Sequence, residues 1–150
     1  MKKYRLILAG AVLCLLCCSC QTEQGGSDMK PESTTISVTF VNDVEETDVW
    51  ILPQTEENLK TSLWGTPTFS KTKAGEKRTG SVPAGETYIL RMIDSAHAYY
   101  AANDLVLEDG CTVHFRTDGT NYDALIDVTD KNGNTLTAGR SVFEGVFGAE

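Results

Sequence analysis

Several stretches of this chain alternate apolar and polar residues one for one. Thr35 to Asn42, "TISVTFVN", sets Ile36, Val38 and Phe40 against polar neighbours, the period-2 pattern of a half-buried β-strand. "DVWILP" follows, closed by Pro53. Glu86 to Asp94, "ETYILRMID", puts Tyr88, Leu90 and Met92 on one face and Ile89, Arg91 and Ile93 on the other. "CTVHFRT" and "DALIDVTD" repeat the pattern, Val113 and Phe115 in the first, Leu125 with Val128 as a further candidate in the second. Between these runs stand "KAGEK", "PAG" at Pro83–Gly85, "EDG", "TDGTN" and "DKNGN", all turn signals. Short strands at this spacing, with no repeated βαβ unit, predict an all-β fold: an antiparallel immunoglobulin-like β-sandwich with at most one short helix. The helical candidate is Thr55 to Trp64, where Thr55 can cap and Glu56 and Glu57 suit the positive end. An irregular loop competes for the same residues. Near the C-terminus, Val142, Phe143, Val146 and Phe147 lie among glycines and are expected to complete the core as a last strand or turn.

The N-terminus follows a different rule. Lys2, Lys3 and Arg5 precede an uncharged run from Leu6 to Cys18, the basic and apolar regions of a secretory signal. At about 1.5 Å per residue that run reaches only about 20 Å, short of the hydrocarbon thickness of about 30 Å. Its end, Ser19-Cys20, resembles the lipobox of bacterial lipoprotein signal peptides, in which a small residue precedes the cysteine that receives lipid. The resemblance implies lipidation at Cys20, with Cys18 a weaker competitor, and the family's usual leucine is Cys17 here. Metal binding by Cys17, Cys18 and Cys20 is disfavoured, since tetrahedral sites want wider spacing and a second ligand pair. After Cys20, "QTEQGGSDMKPEST" lacks the apolar content to order itself and reads as a tether. The expected organisation is a signal peptide over residues 1–19, a tether over 20–33 and one sandwich domain over 34–150. The expected location is the bacterial cell envelope, outside the cytoplasm, with a membrane as partner through the N-terminal lipid.

Charge narrows the partners. Beyond residue 19 the chain carries 10 Lys and Arg, the 13 of the whole chain less Lys2, Lys3 and Arg5, against 21 Asp and Glu, a net charge of −11. Such a surface repels nucleic acid and anionic headgroups. Cys111 is the one cysteine after Cys20, so packing rather than a disulfide must hold the domain. "GCTVHF" reads as a strand with a buried thiol, and His114, three residues along, falls on the opposite face.

"SVTFVNDVEETDVWILP", "SLWG", "VPAGETYILRMID" and "DLVLEDGCTVHF" together are similar to small β-sandwich domains of bacterial secreted proteins and lipoproteins. The shared positions are Val41 and Asn42, Leu52 and Pro53, Trp64 and Gly65, Pro83–Gly85, Tyr88, Leu90, Arg91, Asp94 and Leu107–Gly110. The likeness covers roughly residues 35–116 and implies a fold, with no activity to transfer. It departs at "DVEETD", where that pattern has a glycine-rich turn.

Catalytic patterns are thin. Glu45, Glu46, Glu56 and Glu57 are read as solvated charge rather than a glycosidase pair. Asp130, Asn132 and Asn134 have the alternate spacing of a calcium loop, but Thr135 and Ser141 stand where such a loop needs Gly and Glu; an Asn-Gly hairpin accounts for them without an ion. Asp94, Ser95 and His97 are too close in sequence to form a triad, and no Gly-x-Ser-x-Gly elbow is present. No cofactor or metal is expected. The residues with most promise are Trp50, Trp64, Tyr99 and Tyr100: exposed rings stack on sugars or anchor protein interfaces, whereas core filling by Trp50 and Trp64 is the competing expectation. Tyr99 and Tyr100 are adjacent, so a strand would turn them to opposite faces. The expected function is non-catalytic binding or scaffolding for an envelope protein or polysaccharide. The rival is a small hydrolase or metal-dependent enzyme, which would need a pocket joining a perturbed carboxylate to His97 or His114.

Overall fold

The computed structural model describes residues 34–62, 64–119 and 124–146. The segments expected to be signal peptide and tether, with Cys20, and Phe147 lie outside them. The described chain is an all-β sandwich of two five-stranded sheets with one short helix. In chain order the elements are β1 Thr35–Asn42, β2 Thr47–Pro53, α1 Glu56–Lys60, β3 Phe69–Thr72, β4 Glu76–Pro83, β5 Tyr88–Asp94, β6 Ala98–Leu105, β7 Cys111–Thr117, β8 Ala124–Thr129, β9 Thr135–Ser141 and β10 Phe143–Val146. The first sheet runs β4-β1-β7-β8-β9 and the second β10-β6-β5-β2-β3. Every pairing is antiparallel except β1 with β7, which is parallel from Val38↔Cys111 to Asn42↔Phe115.

The alternating runs became β1, β2, β5, β7 and β8, and their apolar faces meet in the core; on β8 that face is Ala124, Ile126 and Val128, so Leu125, expected inside, takes the opposite face by strand parity. Val38, Phe40, Val113, Phe115, Ile126 and Val128 from one sheet pack against Val49, Ile51, Tyr88, Leu90, Met92 and Leu105 from the other. Five rings form a chain through this layer. Phe40 stacks on Phe69 at 5.9 Å and on Phe115 at 6.4 Å, Tyr100 meets Phe115 edge-on at 5.0 Å, and Phe143 meets Tyr100 at 5.8 Å. The C-terminal segment thus joins the core as expected, through buried Val142 and half-buried Phe143. Cys111 is fully buried on β7, burial pushes its thiol up, and His114 faces outward.

Three strands carry no clear alternation. Edge strand β4 sends Arg78, Gly80 and Val82 inward, and only Val82 is a buried apolar residue. Gly80 is required there because a Cβ would come within 2.9 Å of the Phe69 ring. β3 has four residues, and β6 carries two register irregularities, one in each of its pairings.

The helix is shorter than Thr55 to Trp64. It spans Glu56–Lys60, with the Thr55 hydroxyl accepting from Asn58 N–H and an ion pair between Glu56 and Lys60. Five residues give too few internal hydrogen bonds to propagate further. The "DKNGN" turn joins β8 to β9, and Asp130 accepts from the Asn132 and Asn134 backbone N–H groups and the Asn134 amide, so these residues close a hairpin.

On the outer face of the first sheet, Arg116 pairs with Asp127, whose Oδ1 also accepts from Gly139 N–H at 2.6 Å. That second bond pins β9 where its register with β8 slips, at Gly139 with φ 56°. The Arg116 hydrogen bond, above all, holds the Asp127 carboxyl below its usual 3.8. A depressed acid stabilises the fold above its unfolded value, and that stabilisation is lost as pH falls through the folded value. Thermal melts from about pH 5 down to about pH 2 should therefore show a shallower acid loss for Asp127→Asn than for the parent protein; parallel curves would refute the linkage.

Candidate aromatic binding site

β2, β5 and β6 lie side by side in the second sheet, so alternate residues of all three share its outer face. Register sets Trp50 of β2 against Arg91 of β5, Arg91 against Ala101 of β6, and Ile93 against Tyr99. Tyr88, Leu90 and Met92 point the other way, into the core. Ile89 is nonetheless 0% exposed and Arg91 7%, so this face is covered along the centre of β5.

The segment from Gln54 to Thr68 is tied to that face by short-range chemistry. Gln54 and Asp104 clamp reciprocally: the Gln54 amide donates to Asp104 Oδ1 at 2.5 Å, and Asp104 N–H donates to Gln54 Oε1 at 2.6 Å. Asp104 has φ 52°, a left-handed conformation that Asp tolerates better than most residues and that this pair secures. Asn58 donates to the Pro53 carbonyl, and the Thr68 hydroxyl accepts from Ile51 N–H. The Trp50 indole N–H donates to the Gly65 carbonyl at 3.0 Å, and that of Trp64 to the Thr61 carbonyl at 2.9 Å.

These ties gather three of the four aromatic candidates. Trp64 lies nearly parallel to Tyr99, at 5.8 Å and 5°, and Trp50 meets Trp64 edge-on at 5.4 Å and 60°. All three are half-buried and stand outside the sandwich core, which corrects the expectation that the tryptophans fill it. Tyr100 does not join them. As strand alternation requires, it turns inward and donates its hydroxyl to Asp94 Oδ2 at 2.7 Å. Burial, with Arg91 opposing and Glu144 adding, raises the Tyr99 phenol above its usual value.

No protein-family model, curated protein or solved structure matches this chain.

Of the groups that might have formed a catalytic set, Asp94, Ser95 and His97 line one cleft at the β5–β6 turn, while His114 lies on the other sheet. The Asp94 carboxylate holds the β5–β6 turn, accepting from Ala96 and Ala98 N–H, while His97 is exposed in that turn with φ 65°. His114 lies on the first sheet's outer face, 2.6 Å from Asp43. Among the described residues no group of three or more His, Cys, Asp or Glu is placed to hold a metal. What sequence reading missed was the burial of Arg91. Its signal was a charge in the middle of "YILRMID", on a strand otherwise apolar on both faces.

Proposed function

We propose that this protein is a bacterial cell-envelope lipoprotein, anchored by lipid on Cys20, whose immunoglobulin-like sandwich is a non-catalytic module that binds an envelope polysaccharide. Two packed, mostly antiparallel sheets joined by crossing connections support the immunoglobulin-like reading in its broad sense. The strand order differs from antibody domains, since β1 lies beside β4 and β7 rather than beside β2.

The observation that supports the binding reading is the assembly of Trp50, Trp64 and Tyr99 on one outer face. Half-exposed rings held by indole hydrogen bonds lose little conformational freedom when a ligand arrives, and their faces suit the apolar side of a sugar ring. Nucleobases would stack there too, but the charge of the chain beyond residue 19 opposes a phosphate backbone. A protein partner would use the same rings, so the test must separate the two.

Detergent-solubilised full-length protein, challenged with envelope polysaccharides and solubilised envelope proteins, should be retained by a polysaccharide. Trp64→Ala, with its fold checked by circular dichroism, should bind at least about tenfold more weakly, the worth of one lost stacking contact. Retention by a defined protein alone would make the domain an assembly component and overturn the polysaccharide reading. The anchor is tested separately: mass spectrometry of the mature N-terminus should find acyl mass on Cys20, and an unmodified chain beginning elsewhere would refute it.

A further inference from the structure

We infer that the cleft at the β5–β6 turn binds a small zwitterion, a free α-amino acid, with its ammonium on Glu46 and Asp48 and its carboxylate on Lys71. The cleft lies at the end of the sandwich opposite Thr35, where β1 turns into β2, β3 ends and β5 turns into β6. It is separate from the aromatic face, and the inference is independent of the polysaccharide reading. Three segments wall the cleft and are tied to one another. Ser95 N–H donates to the Glu46 carbonyl at 2.8 Å, joining the β5–β6 turn to the β1–β2 turn. Asp48 Oδ1 accepts from Lys71 N–H at 2.7 Å and from the Ser70 hydroxyl at 3.1 Å, joining β2 to β3. Lys71 and His97, which both line the cleft, are held at φ 49° and 65°, left-handed conformations that these ties secure. Walls fixed in this way lose little freedom when a ligand arrives.

The charges of the cleft are opposite and unspent. The ion pairs of the described residues join Lys60 to Glu56, Arg78 to Glu76, His114 to Asp43 and Arg116 to Asp127, and none includes Lys71, Glu46 or Asp48. Nor does any hydrogen bond among the described residues engage the Lys71 ammonium, the Glu46 carboxylate or the second oxygen of Asp48. The third carboxylate of the cleft, Asp94, is committed to its own turn and to Tyr100. Lys71 and Glu46 therefore line one space without reaching each other, and both are accessible from solvent. A lone anion would meet the carboxylates and a lone cation the ammonium, each a like-charge contact. A molecule carrying both signs meets its opposite on each wall, through charge-assisted hydrogen bonds. A free α-amino acid carries the two on neighbouring carbons, whereas each end of a peptide carries only one. The space, about 180 Å³, is that of about six waters, as many as the heavy atoms of alanine. Half-buried Ile93 offers an apolar contact to a small side chain.

The experiment titrates full-length protein in detergent by calorimetry with glycine, alanine, alaninamide and N-acetylalanine. Alaninamide lacks the carboxylate and N-acetylalanine the ammonium. Glycine or alanine should saturate the protein at millimolar concentration, and alanine should bind at least about tenfold more tightly than either derivative, the worth of one hydrogen-bonded charge pair. Lys71→Gln should weaken alanine binding and shrink its preference over alaninamide. Glu46→Gln should weaken it too and shrink its preference over N-acetylalanine instead. Should either variant fail to fold, the contrast between alanine and its derivatives on the parent protein still decides. No saturation by glycine or alanine would overturn the inference. So would a derivative that binds as tightly as alanine, which would make the cleft a site for one sign of charge, and so would alanine binding unchanged in both variants, which would place it elsewhere. None of these outcomes bears on retention by a polysaccharide, so the two readings fail separately.

Discussion

Phe40→Ala is expected to lower the unfolding free energy by about 3–5 kcal/mol, the range for removing a buried aromatic ring. Phe40 is 0% exposed on β1, an interior strand between β4 and β7, and it stacks on rings from both sheets. Its loss therefore opens a void at the centre of the aromatic chain, where neither sheet can collapse without breaking its own ladder. Domains of this size are typically stable by about 5–15 kcal/mol, so much of the fold's margin is at stake. Urea titration should show a lower midpoint with an unchanged slope. A loss below about 1 kcal/mol would place the ring outside the packed centre. Phe143→Ala should cost less, since Phe143 is half-buried on edge strand β10.

Asp94→Ala is expected to cost about 3 kcal/mol or more, through orphaned donors rather than a cavity. One carboxylate, 7% exposed, accepts from Ala96 N–H at 2.9 Å, Ala98 N–H at 2.8 Å and the Tyr100 hydroxyl at 2.7 Å. Truncation leaves all three donors without that acceptor in the turn that places β6 beside β5. Tyr100→Phe removes a single donor and should cost about 1 kcal/mol. In the double variant the two losses should add to less than their sum, because the hydroxyl bond is counted in each. Strict additivity would mean the bond does not form. Burial first, and Asp94 second, raise the Tyr100 phenol far above the usual 10.0. A raised group contributes stability below its unfolded value, and that contribution is lost as pH rises toward the folded one. Tyr100→Phe should accordingly flatten the alkaline limb of the stability profile.

How much of this was legible in the sequence depended on the range of the interaction that decides each feature. Alternation is local, and it marked β1 from Thr35 to Asn42 and β7 from Cys111 to Thr117 residue for residue. Local hydrogen bonding likewise marked the Thr55 cap and the hairpin at Asp130, and strand parity set Cys111 against His114 and Tyr99 against Tyr100. Edge strands β3 and β4 escaped notice because an edge buries little: β4 needs only Val82 as a buried apolar residue, while its Gly80 answers to a phenyl ring from β3. The parallel pairing of β1 with β7 joins residues more than 70 positions apart, and no local pattern specifies a partner at that distance. The aromatic face was half visible. By themselves the residues named Trp50, Trp64 and Tyr99 as candidates and separated Tyr100 from its neighbour. Only the tertiary structure brought the three rings together and buried Arg91 beside them, because the cover over that face comes from a segment held by Gln54–Asp104 and Trp50–Gly65 contacts. Sequence alone determined which residues can face which way; packing of one distant segment against another decided what those faces meet.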